Sequence, residues 1–428
     1  MKKLLCTVLA ICLCGSMLGG CAGESSSAQP QSGSVAASSS EAQAEPVTIT
    51  WYTPNWDEPE SYEMAAEFEE MNPDIHVELV ITEWASYKEK AITALSDENN
   101  SPDVYTILLT DAPAFARRGM LEPLDELGEQ AGMDWSDFLA PALETSSLDG
   151  TIYCAPFRYD GSGVYYNVDM LADAGYEAFP ETWAETLEMC EALKAKGYMP
   201  TAWYLGEQSN ACVALVIQLY TEGASILNED ETECLLNSDE AKRALNNIVE
   251  TMQKGYASPS SLEMDNSRTR DAFGAGSVAF VYSGPYDVEV LETEYPDLNF
   301  ATTVLPGVDG MGCTQANGWG AAIGAHSKQK EAAAKFLAYI TLPENQARLT
   351  DSFPASYTAS EYEQFSGELL QPFVEQLENS RAEPAYEHWV EMQPIIYSYI
   401  QSAISGSMSV DEACEGMTEE INALLASF

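Results

Sequence analysis

Histidine is scarce in this chain: His76, His326 and His388 are the only three in 428 residues, and neither G-x-S-x-G nor H-E-x-x-H occurs. The strained nucleophile turn and the helical zinc-hydrolase pair are therefore missing. His76 falls in a strand-like run and His388 beside Trp389, where a histidine is more readily structural than catalytic. Basic residues are few as well, 19 Lys and Arg against 68 Asp and Glu, for a formal net charge of −49. So acidic a surface repels nucleic acid and anionic lipid headgroups, and no nucleic-acid partner is expected. The ten cysteines show no metal-site spacing, and neither a metal nor a cofactor is expected. "GWGAAIG" (318–324) is one residue off the dinucleotide fingerprint and follows no suitable strand. There is no internal repeat, and past the N terminus there is no long apolar run.

What is present begins with Lys2 and Lys3, an apolar run from Leu4 to Cys14, and the small residues Gly15, Ser16, Gly19 and Gly20. Basic, apolar and small in that order reads as a secretory signal over residues 1–20. The run falls short of the roughly 20 apolar residues that span a bilayer. "LGGC" (18–21) resembles the lipobox of bacterial lipoproteins, which implies cleavage before Cys21 and a diacylglycerol on its sulfur. Residues 21–45 are mostly Ser, Ala, Gln and Gly with no aromatic side chain. They cannot offset the entropy of ordering, and they read as a flexible tether to the outer face of a membrane. Six cysteines remain beyond it: Cys154, Cys190, Cys212, Cys234, Cys313 and Cys414. An even number permits several disulfide pairings, and buried free thiols are the expectation.

From residue 46 the periodicities are those of an α/β protein. "VTITWY" (47–52) reads as a strand. Met64, Phe68 and Met71 recur at helical spacing until Asn72 and Pro73 stop the helix. "IHVELVI" (75–81) is a second strand, "SYKE" (86–89) a capping box opening a helix through Leu95, and "VYTILL" (104–109) a third strand. Strand, helix, strand, helix, strand predicts a parallel sheet covered by helices. Then come strand-like "TIYCAPF" (151–157) and "GVYYN" (163–167), separated by "RYDGS". "TWAE" (182–185) is a second capping box, for a helix that turns Trp183, Leu187, Cys190 and Leu193 inward and stops at Gly197. Strands at 277–282, 300–305 and 318–324 follow, then the helix "KEAAAKFLAYI" (330–340) and a last helix with Ala413, Met417, Ile421 and Leu424 on one stripe.

The stretches "FEEMNPDIHVELV", "ALSDENNSPDVYTI", "FARRGMLEPLDEL", "DGTIYCAPFRYDGSGVYYNVDMLADAGY", "AFGAGSVAFVYSGPYDV" and "NGWGAAIGAHSKQKEAAAKFLAYITLPENQARLT" resemble, in order and spacing, the maltose-binding-like, carbohydrate-type extracellular solute-binding proteins of ABC importers. The resemblance covers nearly all of residues 46–428. It implies a two-lobe periplasmic-binding-protein-like fold of type II, with ligand in a cleft between lobes joined by hinge crossings. The N-lobe would hold 46–157 with 306–351 and the C-lobe 161–303 with 356–428, the first crossing falling at "FRYDG" (157–161). It also implies a sugar or oligosaccharide ligand, no enzymatic activity, permease subunits as partners and a monomeric state.

A pyranose offers an apolar face to aromatic rings and a rim of hydroxyls to carboxylates, and open α/β sheets bind ligands beyond the strand ends. On those grounds the candidates are Trp56 and Asp57 (with Asn55) after the first strand, Glu83 and Trp84 after the second, and Asp111 (with Thr110) after the third. Arg158 and Asp160 (with Tyr159) lie at the crossing, Trp203 (with Tyr204) in "AWYLG", Tyr286 and Asp287 in "YSGPYD", and Trp319 in "NGWG". By the resemblance Tyr286 fills the aromatic place of the family's GPW stretch, as a smaller platform, and Asp160 an acidic place at the hinge. Trp56, Trp84 and Trp319, beside turn residues, are expected in the cleft; Trp51, Trp135 and Trp183, on or beside regular elements, in the core. Arg158 would clamp an acidic sugar or pair with Asp160 or Asp111. A surface glycan-binding adhesin and a lipid-anchored glycoside hydrolase remain open alternatives, the latter because paired carboxylates in an aromatic cleft also describe glycosidases.

Overall fold

The computed structural model describes residues 46–428 apart from 229, 351 and 387; the side chains of Asp57, Trp84 and Ala85 are also outside the described part. The expected leader, Cys21 and the tether lie outside the described residues.

The larger sheet grows from the strands read first. β1 (Val47–Pro54) lies parallel to β2 (Ile75–Thr82) over its whole length, Val47 opposite Ile75 and Pro54 opposite Thr82, and parallel to β3 (Val104–Leu108) on its other side. A central strand is buried on both faces, and from Trp51 to Pro54 no residue of β1 reaches the surface. The Trp51 indole donates to Thr106 Oγ1 at 3.1 Å and packs edge-on against Phe336 of the helix Lys330–Ile340. Phe68, on the helix Glu58–Met71, meets the same ring at 5.1 Å. Met71, expected on that buried stripe, is the last residue of its helix, where nothing covers it, and is 60% exposed. The next helix starts at Trp84, with Glu83 as its N-cap, so Ser86 and Glu89 form no capping box. Because β2 ends at Thr82, the helix starts before residue 86, and the Ser86 hydroxyl donates to the Glu83 carbonyl at 3.3 Å.

The sheet is not purely parallel. After a hairpin of β4 (Ser147–Leu148) and β5 (Thr151–Ile152), β6 (Ala155–Gly161) pairs antiparallel with β10 (Thr314–Ile323), which is itself antiparallel to β3. β11 (Ser380–Ala382) lies parallel to β10 on the edge. Residues 158–161, expected as a loop, thus form half of β6. Gly161 reads locally as a turn residue, but a Cβ there would stand 2.6 Å from Thr314 Cγ2, so glycine lets two strands approach. Ser162 alone separates β6 from β7 (Gly163–Asn167), the centre of a second, antiparallel sheet between β8 (Phe280–Ser283) and β9 (Phe300–Thr303). The chain passes from one sheet to the other in a single residue.

Around the second sheet gather the helices of the later chain. The capping box at residues 182–185 forms: Thr182 Oγ1 accepts from Glu185 N and the Glu185 carboxylate accepts from Thr182 N, with Gly197 left-handed at the helix end, φ 91°. Trp183, Cys190 and Leu193 are buried and Leu187 packs at the margin. In the last helix, Val410–Leu425, Ala413, Met417 and Ile421 are buried and Leu424 is half-buried against the same core. The six cysteines among the described residues are all buried and unpaired. Among the described residues no helix is long and apolar enough to cross a membrane.

Candidate functional site

Three parallel strands release their chains at one end of the larger sheet. β1 runs into a 3-10 turn at Asn55–Asp57, β2 into Glu83, and β3 into Thr110 and the helix Asp111–Arg117. Asn55 Nδ2 donates to Glu83 Oε2 at 3.0 Å, tying the first two loops together, and Lys88 Nζ donates to Asp111 Oδ1 at 3.0 Å across the second and third. Burial opposes the Lys88 charge, but the Asp111 carboxylate outweighs it and holds the ammonium above its ordinary range.

Beside these loops an arginine sits among aromatic rings. Trp56 and Trp319 meet edge to face, centroids 4.5 Å apart. The Arg158 guanidinium carbon is 6.0 Å from the Trp56 ring and 5.2 Å from the Tyr286 ring. Arg158 Nε donates to Asp160 Oδ2 at 2.8 Å, two residues along the same strand face, and Ser352 Oγ donates to that oxygen at 2.7 Å. Of the two partners expected for Arg158, Asp160 is confirmed by this ion pair. Tyr286 comes from the turn after β8, in the second sheet, and folds back over Gly284, where a Cβ would lie 2.2 Å from its ring. Its hydroxyl accepts from Asn266 Nδ2 at 2.9 Å, and burial above all pushes the phenol up to about 12. The cluster therefore joins the two sheets through Arg158.

A cavity of about 490 Å³ opens next to it, walled by Lys88, Thr110 and Asp111 on one side and by Glu207, Glu383, Tyr386 and Trp389 on the other. Asn317 Nδ2 donates both to Glu383 and to Thr110 Oγ1, the latter at 3.1 Å. Burial, helped by the Asp111 charge, raises Glu383 above the usual carboxylate range against the pull of Asn317 and Lys88. Trp389 is 9% exposed, and its indole N–H has no partner among the described residues. Carboxylates that accept hydrogen bonds, aromatic faces and a paired ammonium suit a polyhydroxylated ligand. Among the described residues no three His, Cys, Asp or Glu are placed to hold a metal ion.

Trp56, Arg158, Asp160, Tyr286 and Trp319 come together in the arginine cluster; Asp111 lines the cavity, and Glu83 is at the loop between. Two expectations are corrected. Trp203 is 1% exposed, donates to Thr251 Oγ1 at 2.9 Å and stacks on Tyr282 at 5.0 Å, so it is core. "AWYLG" reads as an exposed strand end because the helices that cover it, such as Gln208–Thr221 and Trp389–Ile404, follow later in the chain. Asp287 is 2% exposed, the first residue of the helix Asp287–Glu294, and accepts from Ser283 Oγ at 2.5 Å and Arg270 at 3.4 Å. It is buried beneath the surface rather than presented at a strand end. Tyr159 and Tyr204 are likewise buried. Asp57 and Trp84 have side chains outside the described residues. Trp51 and Trp183 are core as expected, and Trp135 half-buried against it. Sequence reasoning missed Lys88, Glu207, Asn317, Glu383 and Trp389. Lys88 carried a signal, a rare lysine one turn into the helix that follows a strand end. Glu383 carried none, because its partner Asn317 is 66 residues away.

Comparison with known proteins gives the chain its relatives. The family described as "Bacterial extracellular solute-binding protein" matches residues 54–347. The diacetylchitobiose binding protein DasA of Streptomyces coelicolor is 28% identical over 299 residues, 68% of this chain and 68% of that protein. An uncharacterized lipoprotein of Streptomyces antibioticus is 25% identical over 319 residues, 71% of this chain and 69% of that one. Among solved structures, the sugar-binding protein MalE of Xanthomonas citri superposes with a TM-score of 0.78 at 25% identity, over 89% of this chain and 98% of the other.

Proposed function

This chain belongs to the bacterial extracellular solute-binding protein family, and from that premise we propose that its solute is a sugar or oligosaccharide, captured outside the cytoplasm and delivered to the permease of an ABC importer. The observation that carries the reading is the cavity of about 490 Å³ in which the loops after β2 and β3 face Glu207, Glu383 and Trp389. Relatives described as binding diacetylchitobiose and sugar support the ligand class. In this reading residues 46–157 with 306–351 form one lobe and 161–303 with 356–428 the other. They hinge where β6 meets β7, and ligand closes them. Trp56, Tyr286 and Trp319 stack on sugar faces. Asp57, Glu83, Trp84, Asp111, Arg158 and Asp160 complete the site.

The chemistry stops at capture. The relatives named as binding proteins are described by what they hold, and a carboxylate paired with an ammonium, as Asp111 is, serves a hydroxyl without a bond being broken. We place the signal peptide at residues 1–20 and a lipidated Cys21 at the head of the tether, which keeps a monomer beside its permease; two acyl chains suffice for stable anchoring. A relative described as a lipoprotein supports this arrangement.

Calorimetric titration of the full chain with lactose, maltose, cellobiose and N,N′-diacetylchitobiose tests the ligand class. Binding near micromolar, about −8 kcal/mol, with the sugar recovered intact, is expected. No heat with any of them overturns the reading, and a shortened sugar makes the protein a hydrolase. For the anchor, Cys21→Ser should move the protein from the membrane fraction to the medium; retention would refute lipidation.

A further inference from the structure

We propose that the cavity discriminates by ligand charge, taking a saccharide that bears an ammonium group in preference to a neutral one of the same size and excluding acidic sugars. This rests on the sugar reading of the same cavity. Five of its lining side chains are carboxylates and two are cations. One of the cations, Lys88, is already held by Asp111 at 3.0 Å. Near that pair stands Glu383, which accepts from the neutral amide of Asn317 and has no ion pair among the described residues. Two carboxylates thus share one ammonium: Lys88 ion-pairs with Asp111 and acts on Glu383 only as a more distant charge, and with Arg118 the wall still holds two cations to five carboxylates. Burial above all, with the Asp111 charge, raises the Glu383 pKa against the opposing pull of Asn317 and Lys88. Glu207 adds a further carboxylate to the wall, also without an ion pair among the described residues. Trp389, nine-tenths buried, adds an aromatic ring to the lining, a side chain of the kind that attracts cations.

An excess of negative charge in a partly desolvated wall attracts a cation and repels an anion far more strongly than it would in open water. A hydroxyl can also donate to Glu383, so neutral sugars still bind, and the effect is a preference. An ammonium in place of a hydroxyl on the ring is the smallest change that exploits it.

The test is titration of the full chain with isosteric pairs: cellobiose against chitobiose with free amines, and lactose against lactosamine with a free amine, with cellobiouronic acid as the acidic probe. The amine of at least one pair should bind about tenfold tighter than its neutral partner, the acid should not bind measurably, and added salt should narrow the gap. In Glu383→Gln that ratio should fall towards one, with thermal melts confirming the fold; in Glu207→Gln it should fall partway. If any neutral sugar of the Proposed function panel binds and neither amine does better, or if the acid binds as well, the proposal is overturned while the sugar reading stands. If none of the neutral, amine or acidic probes binds, the sugar reading fails and this inference with it.

Discussion

Arg158 and Trp319 stand opposite each other in the ladder between β6 and β10, and that register sets the guanidinium beside the Trp56 ring on one side and the Tyr286 ring on the other. Since Tyr286 follows a strand of the second sheet, the arginine touches residues of both sheets four residues before Ser162, where the chain crosses between them.

Breaking the Arg158 and Asp160 pair should therefore be felt in stability. Both side chains are largely buried, 11% and 15% exposed. Arg158→Met strands the carboxylate and should destabilise the protein by about 3 kcal/mol. Adding Asp160→Asn should restore part of that loss. Denaturant unfolding of the two single variants and the double reads the coupling directly; strictly additive losses would show that the pair does not act as a unit.

The aromatic residues should separate into two groups. Tyr286→Ala should weaken sugar binding by about 2 kcal/mol, near thirtyfold, with the melting temperature nearly unchanged. Trp203→Ala and Trp183→Ala, both in the core, should instead cost about 3 to 5 kcal/mol of stability. Calorimetry beside thermal melts distinguishes the groups, and a stable Trp203→Ala that loses ligand would return that ring to the cleft.

Glu383 should make stability depend on pH in an unusual direction. Its pKa is raised in the folded protein, so between the ordinary carboxylate value and the raised one the folded state holds the proton that the unfolded state has lost. Stability from this group then falls as pH rises through that window and is recovered on acidification. Glu383→Gln should melt higher than the parent at neutral pH, with the difference disappearing below the carboxylate range. A parent that melts higher at neutral pH and lower in acid would mean that the charge is well satisfied.

Residues before 46 should contribute nothing to capture. A chain beginning at Pro46 should bind the same sugar with the same affinity as the full chain, because the preceding Ser- and Ala-rich stretch offers a ligand neither ring nor carboxylate. Weaker binding by the shortened chain, measured by calorimetry, would assign the tether a direct role.

Local order in this protein is written in local sequence. The helix Lys330–Ile340 and the capped helix that follows Thr182 emerge from periodicity and cap chemistry because each of their hydrogen bonds closes within a few residues. The order of strands and helices, with its likeness to a known family, was legible for the same reason. That the loops after β1, β2 and β3 gather at one end of the sheet was also legible, since strand ends of α/β sheets have a predictable position. What neighbours them was not. Residues 158–161 look like a turn and become a strand because β10, more than 150 positions on, supplies the missing ladder. Trp203 looks available and is covered by helices distant in sequence. Glu383 becomes a wall of the cavity through an amide donated from Asn317. Burial and electrostatic pairing depend on which surfaces meet, and with cleft walls drawn from residues near 88, 111, 207 and 383, only the tertiary structure brings those surfaces together.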